Sequence, residues 1–311
     1  MKTFSHIVSA KLSAMTPKIA KNKAMHLAYF RERGIETLAT PQREIGARNY
    51  KGLASAINKA SMETARHVTS TIETTAQHEN WSGTDKLNAV LTATYASYVV
   101  MLELRNQVWP YEYMAFSRRI GELWESFVRT AFDSAPSGLS YFVPPLFSEV
   151  RTGLRQELSQ YIANLPLSGA QKQDLLRYYE KVWLLVDSGE INLELDLHFS
   201  LTEQRFNVDL KSGFGSNEKG NTNRLLMVAT IYRNLDLPYE NYLLVRASED
   251  RNNHYFRTLR NSGVWTALCG SEAYAKMAEF TGFDLGSWVK ENIHWPADLD
   301  PQTVEHFHQQ D

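Results

Sequence analysis

From Ala54 to Ile72, and again from Leu87 to Leu104, apolar residues recur every three or four positions, the period of a helix with one buried side. Between them Ser82-Gly83-Thr84-Asp85 reads as the stop of one helix and the N-cap of the next, while Pro41 and the Trp109-Pro110 pair punctuate the stretch. Residues 1–110 are therefore predicted to be a helical N-terminal region. Tyr111 to Phe132 follows as one amphipathic helix, with Ile120, Leu123, Trp124, Phe127, Val128 and Ala131 on its apolar side and Pro136-Ser137-Gly138 ending it. Leu139 to Val143 is a short strand before Pro144-Pro145, and two helices over roughly 147–164 and 169–186 are parted by Pro166 and Gly169.

The pattern then shifts to a period of two. From Asn192 to Phe199, Leu193, Leu195 and Leu197 alternate with Glu194, Asp196 and His198. From Arg205 to Lys211, Phe206, Val208 and Leu210 alternate with Asn207, Asp209 and Lys211, and Thr202-Glu203-Gln204 lies between the two runs as a turn. This predicts a hairpin with one buried face and one polar face. A Gly/Asn-rich loop (Ser212 to Asn223) leads into a helix bearing Leu225, Leu226, Val228, Ala229 and Tyr232, then a strand at Tyr242 to Val245, a weaker one at Val264 to Leu268, and helices near 271–281 and 284–292. Helix, strand, helical insertion, hairpin, helix, strand is an α/β layer order. The predicted organisation is a helical region over 1–110 and an α/β domain over 111–311, with a helical insertion at about 147–187.

Composition narrows the class. With 43% hydrophobic and 22% charged residues the chain matches a soluble globular protein rather than a disordered one. The single cysteine, Cys269, has no partner for an internal disulfide. No apolar core follows the N-terminal Met-Lys-Thr-Phe-Ser-His, and no stretch is read as approaching the roughly 18 apolar residues of a membrane span. A cytoplasmic protein with no membrane partner is expected. The net charge of −2 hides an asymmetry: residues 1–70 hold twelve Lys/Arg against four Asp/Glu, leaving −10 on the remainder. Such a basic segment suits either a solvated helical surface or a locally gripped polyanion.

Period-2 geometry places Glu194, Asp196 and His198 on one face of the first strand, and Asn207, Asp209 and Lys211 on the same face of the second. Two carboxylates and a lysine then meet on adjacent strands. Mg²⁺ takes carboxylate oxygens while keeping several waters, so such a pair would hold it against a phosphate; a lysine alongside would orient an attacking water. Asp209-Leu210-Lys211 is the only Asp/Glu-x-Lys triplet in the chain, and it falls on the clearest hairpin.

Asp196 followed by Asp209-Leu210-Lys211 resembles the signature of the PD-(D/E)xK nuclease superfamily, and in particular type II restriction endonucleases. The resemblance covers about 111–250 and implies a mixed sheet flanked by helices, Mg²⁺ (with Mn²⁺ as a substitute) held by Asp196 and Asp209, and Lys211 at the reacting centre. It also implies a glutamate on the preceding helix, for which Glu125 matches best and Glu122 is second. The family's proline is replaced by Leu195, and Glu194 stays a candidate participant. The resemblance further implies double-stranded DNA as substrate, a homodimer on a palindromic site and a cognate DNA methyltransferase in the same cell. Repair or junction-resolving nucleases share the core, and a DNA-binding module on a degenerate scaffold is the non-enzyme alternative. Candidate DNA contacts are Asn217, Lys219, Asn221, Asn223 and Arg224 from the loop, with Lys18, Lys21 and Lys23 on phosphates; alternatively residues 1–110 form a dimerisation unit. Gly213, Gly215 and Gly220 match neither a P-loop nor a dinucleotide fingerprint, and His306 and His308 read as a solvated tail.

Overall fold

The computed structural model describes residues 15–45, 48–135, 137–186, 191–215, 218–237 and 239–305, with the side chains of 37–45, 113 and 182–186 left aside. His306, His308 and Asn217 lie outside the described residues. The protein is α/β: a mixed five-stranded sheet with helices on both faces.

The N-terminal helices are α1 (Pro17–Ala20), α2 (Lys23–Ile45), α3 (Tyr50–His78) and α4 (Gly83–Val108). Ser82 caps α4 by accepting from the Asp85 amide, as its position predicts. Two sequence expectations fail here. Helix α2 runs through Pro41, although proline's missing N–H removes one bond of the helix and its ring crowds the preceding turn. Helix α4 contains a window long and apolar enough to cross a membrane, against the expectation that no stretch comes near. Most of that window is buried among the other helices, which explains an apolar surface on nearly every side.

Helix α5 (Tyr113–Asp133) buries the six predicted apolar residues. Strand β1 is shorter than expected (Ser140–Tyr141), and α6 (Phe147–Asn164) with α7 (Gly169–Val186) forms the helical insertion. Strands β2 (Leu197–Leu201) and β3 (Gln204–Lys211) make the hairpin around a two-residue turn in which Thr202 takes φ 57°. Helix α8 (Lys219–Arg233) crosses to β4 (Tyr239–Val245), and α9 (His254–Arg260) crosses to β5 (Thr266–Cys269). The order is β1-β2-β3-β4-β5, antiparallel through β3 and parallel from β3 to β5.

Both faces of the sheet are covered. Phe199, Phe206, Val208, Leu210, Tyr242 and Leu244 pack against α5, α10 (Ser271–Thr281) and α11 (Leu285–Asn292). Leu243, Val245, Ala267 and Cys269 pack on the other side against α8 and α9. Double coverage explains why Tyr242 to Val245 is apolar at every position instead of alternating. The N-terminal helices share the first core without a break.

The C-terminal helices α12 (Trp295–Asp298) and α13 (Pro301–Val304) return to those N-terminal helices. Asp298 Oδ2, nearly buried, accepts from Lys23 Nζ at 2.7 Å and Tyr95 Oη at 2.8 Å. Lys23 also donates to the Asn292 carbonyl at 2.9 Å. Arg31 forks onto Glu103 at 2.6 and 3.0 Å, and Glu103 accepts the Asp300 amide at 3.0 Å. Removing the ammonium leaves Asp298 short of its counter-charge. Lys23→Met should therefore lower the unfolding free energy in urea by about 1–3 kcal/mol, whereas Lys18→Met, at an exposed position, should leave it unchanged.

Candidate active site

Residues 191–196 are not a strand, so the first hairpin strand begins at Leu197 rather than Asn192. The leucine alternation is real but splits between two cores: Leu193 and Leu195 join the one under α8, while Leu197 joins the one under α5. Polar anchors fix this lead-in segment. Tyr232 Oη donates to the Leu193 carbonyl at 3.0 Å, and the Leu195 amide donates to His198 Nε2 at 2.8 Å. Since Nε2 accepts, the proton sits on Nδ1, which faces Asn207 Oδ1 at 2.8 Å. Asn207 donates in turn to Asn241 Oδ1 at 3.0 Å, and Asn241 reaches the Ala229 and Val264 carbonyls, both at 3.3 Å.

The polar face of the hairpin is thus largely an interior layer. His198, Asn207, Asp209 and Asn241 are all buried beneath α8. Burial, opposed in part by the Asn207 contact, holds the His198 pKa below its ordinary value.

This network delivers Asp196 to the end of β2. One residue beyond the last paired position, Leu197 opposite Val208, Asp196 comes beside Asp209. Its Oδ2 accepts the Leu210 amide at 2.7 Å, in place of the ladder bond a continuing strand would supply. Asp209 is only 2% exposed. Lys211 Nζ stands 2.6 Å from its Oδ2 and Arg224 Nη2 stands 3.6 Å from its Oδ1. The lysine contact is close but off hydrogen-bond geometry, so Oδ2 is a buried oxygen without a directed donor. Burial consequently outweighs the neighbouring cations and raises the Asp209 pKa, with the Asp196 charge adding to the rise.

Helix α5 supplies the opposite wall. Gly121 lets it approach the loop after β3; a Cβ there would lie 3.2 Å from Ser212 Oγ. Glu122 and Glu125 then line a cleft of about 250 Å³ together with Arg118, Trp124, Lys211 and Glu218. Glu122 is paired with Arg118 and Arg119. Arg129 joins Glu125 to Asp196, at 3.3 Å from Glu125 Oε1 and 3.1 Å from Asp196 Oδ1, and also donates to the Asp196 carbonyl at 2.9 Å.

Asp196 and Asp209 fit a hard divalent cation by donor chemistry and by the unsatisfied Asp209 oxygen, since Mg²⁺ is satisfied by one or two carboxylates plus waters. A third protein ligand is not gathered: among the described residues no three carboxylate, imidazole or thiol groups converge at metal-binding separations. Glu125 stands by through Arg129.

The remaining candidates divide. Lys219 and Asn223 are exposed on α8. Asn221 is tied to Glu218 at 3.0 Å, and Arg224 faces Asp209 and the Glu194 carbonyl. Among the lysines, Lys18 is exposed, Lys21 pairs with Asp85 at 2.6 Å, and Lys23 is held by Asp298. Sequence reasoning missed Arg129 and Glu218. The spacing of Glu125 and Arg129, four apart on one helix, was a usable signal for the first. No family model, curated protein or solved structure matches the chain.

A buried histidine kept neutral makes stability depend on pH. Its folded pKa lies below the unfolded value of 6.5, so the unfolded chain binds more protons and the contribution, complete above that value, is lost as pH falls through it. His198→Gln should cost about 1–3 kcal/mol near neutral pH by disrupting the bonds to the Leu195 amide and to Asn207 Oδ1. Below about pH 6.5 its unfolding profile should be flatter than that of the wild type, by up to about 1.4 kcal/mol per pH unit. Parallel profiles would show that His198 does not carry the titration.

Proposed function

We propose that the protein is a Mg²⁺-dependent, site-specific endonuclease that hydrolyses phosphodiester bonds in double-stranded DNA, on a PD-(D/E)xK core and resembling a type II restriction enzyme. The observation that carries this reading is the meeting of Asp196 and Asp209 at one end of the β2–β3 hairpin, with Lys211 against Asp209. The order α5, β1, β2, β3, α8, β4 around a mixed sheet, with Glu122 and Glu125 on the helix facing that end, supports it.

Asp196 and Asp209 would hold the cation, with Glu125 the further carboxylate within reach through Arg129. Bound there, a divalent cation supplies Lewis-acid stabilisation of the phosphoryl charge and a more acidic water. Lys211, beside Asp209, orients the attacking water and faces the developing negative charge. Lys219 and Asn223, exposed on α8, would contact DNA, and Lys18, exposed and with no carboxylate partner among the described residues, would reach a phosphate where Lys21 and Lys23 are paired. The helical pair α6–α7 exposes Tyr161, Leu175 and Tyr178, an apolar surface suited to a second copy of the chain, and a two-fold dimer suits a palindromic target. A cytoplasmic location and a protecting methyltransferase complete the reading.

Purified protein incubated with plasmid DNA and Mg²⁺ should yield discrete bands. A smear would indicate cleavage without site selection, and uncut DNA at full protein occupancy would favour the non-catalytic binding module. Asp209→Asn and Lys211→Ala should each lower cleavage about a hundredfold or more while duplex binding persists, and the aspartate change should tighten binding by removing a negative charge facing phosphate. Wild-type rates in both variants would refute the site.

A further inference from the structure

We propose that Arg246 is a phosphate-binding residue beside this cleft, contacting a backbone phosphodiester of bound DNA; the DNA assignment rests on the nuclease reading above. Arg246 directly follows β4, and its amide donates to the Lys211 carbonyl at 2.9 Å, so it stands just past the strand that pairs with Lys211. Its side chain lines a small cavity of about 70 Å³ with Ile120, Leu123, Trp124, Phe127 and Tyr274 among its walls. Trp124, whose Nε1 donates to Tyr274 Oη at 2.9 Å, also lines the cleft that holds Glu122, Glu125 and Lys211. Trp124 therefore borders both the Arg246 cavity and the candidate active site.

The guanidinium is half-buried, yet among the described residues no carboxylate pairs with it. The charged or titratable groups near enough to act on it are the Tyr274 phenol and Arg251, and the second is a like charge. Burial pulls its pKa below the ordinary arginine range. Arg31, Arg129 and Arg260 contrast with it, since each faces a carboxylate. A desolvated cation with no counter-ion destabilises a fold, and an arriving anion removes that penalty. The planar fork of arginine matches a phosphate's paired oxygens. Its place just past the carboxyl end of a parallel strand is where open α/β sheets receive ligands.

The test compares wild type with Arg246→Met in two measurements: thermal unfolding with and without inorganic phosphate, and binding of a short random-sequence duplex in Ca²⁺ in place of Mg²⁺. Without ligand the variant should melt higher by about 2 °C or more, because an uncompensated charge is gone. Phosphate should raise the wild-type melting temperature and leave that of the variant unmoved, and the duplex should bind the variant about tenfold more weakly. Arg246→Lys, which keeps the charge without the fork, should retain part of the phosphate response. A variant that melts lower without ligand, or binds duplex as tightly as wild type, overturns the proposal. If wild type neither cuts nor binds duplex but phosphate stabilises it through Arg246, the nuclease reading fails and the phosphate site stands. If both proteins cut and bind duplex alike, the nuclease reading stands and this assignment falls.

Discussion

Burial of the Asp209 carboxylate under α8 sets the terms for everything around it. A carboxylate with 2% exposure cannot rely on water, so its charge must be met by fixed groups. Lys211 meets it from the same strand, two residues on, and Arg224 meets it from the covering helix. Neither is enough to return its pKa to the usual range, and one oxygen stays without a directed donor. The strain is local because the surrounding layer is otherwise satisfied: His198, Asn207 and Asn241 pass hydrogen bonds from the Leu195 amide to the Ala229 and Val264 carbonyls. That chain fixes the segment bearing Asp196, so the second carboxylate is placed by the same interior layer that buries the first.

Charge around the cleft is matched in kind. Asp196, Asp209 and Glu125 face Arg129, Lys211 and Arg224. The cations offset part of the repulsion among these carboxylates, though the Asp196 charge still raises the Asp209 pKa. Arg129 and Lys211 hold their carboxylates differently. Arg129 is partly exposed and its pairs are screened, whereas Lys211 stands on a buried oxygen. The asymmetry makes one a movable counter-charge and the other a fixed one.

The longer helices were legible where the apolar period repeats over several turns, as at Ile120 to Ala131 on α5, whereas the short α9, α12 and α13 carry too few turns to show one. The hairpin was legible in its second strand and misread in its first. Leucines at 193, 195 and 197 alternate as a strand does, but the first two answer to Leu225 and Val228 on α8, and the third to the helices on the other side. Alternation states that neighbours point apart; it does not state which body of protein receives them. The same gap hid the interior polar layer, because the element that covers Asn207 and Asp209 is encoded after the loop that follows them. Arg246 gave no pattern at all: an arginine's lack of a partner exists only in three dimensions.

The N-terminal lysines extend that point to electrostatics. A window of +8 over residues 1–70 invites a picture of a free basic surface. In the folded chain, part of that charge is answered from outside the window: Lys21 by Asp85, Arg31 by Glu103, and Lys23 by Asp298 near the other end of the chain. These pairs close the C-terminal helices onto the N-terminal layer. Local charge counts measure covalent neighbours, whereas a phosphate backbone responds to the cations that tertiary structure leaves without partners. Among the described residues, Lys219 is open to solvent and Arg246 pairs with no carboxylate, so the cations left without partners do not coincide with the lysine-rich segment.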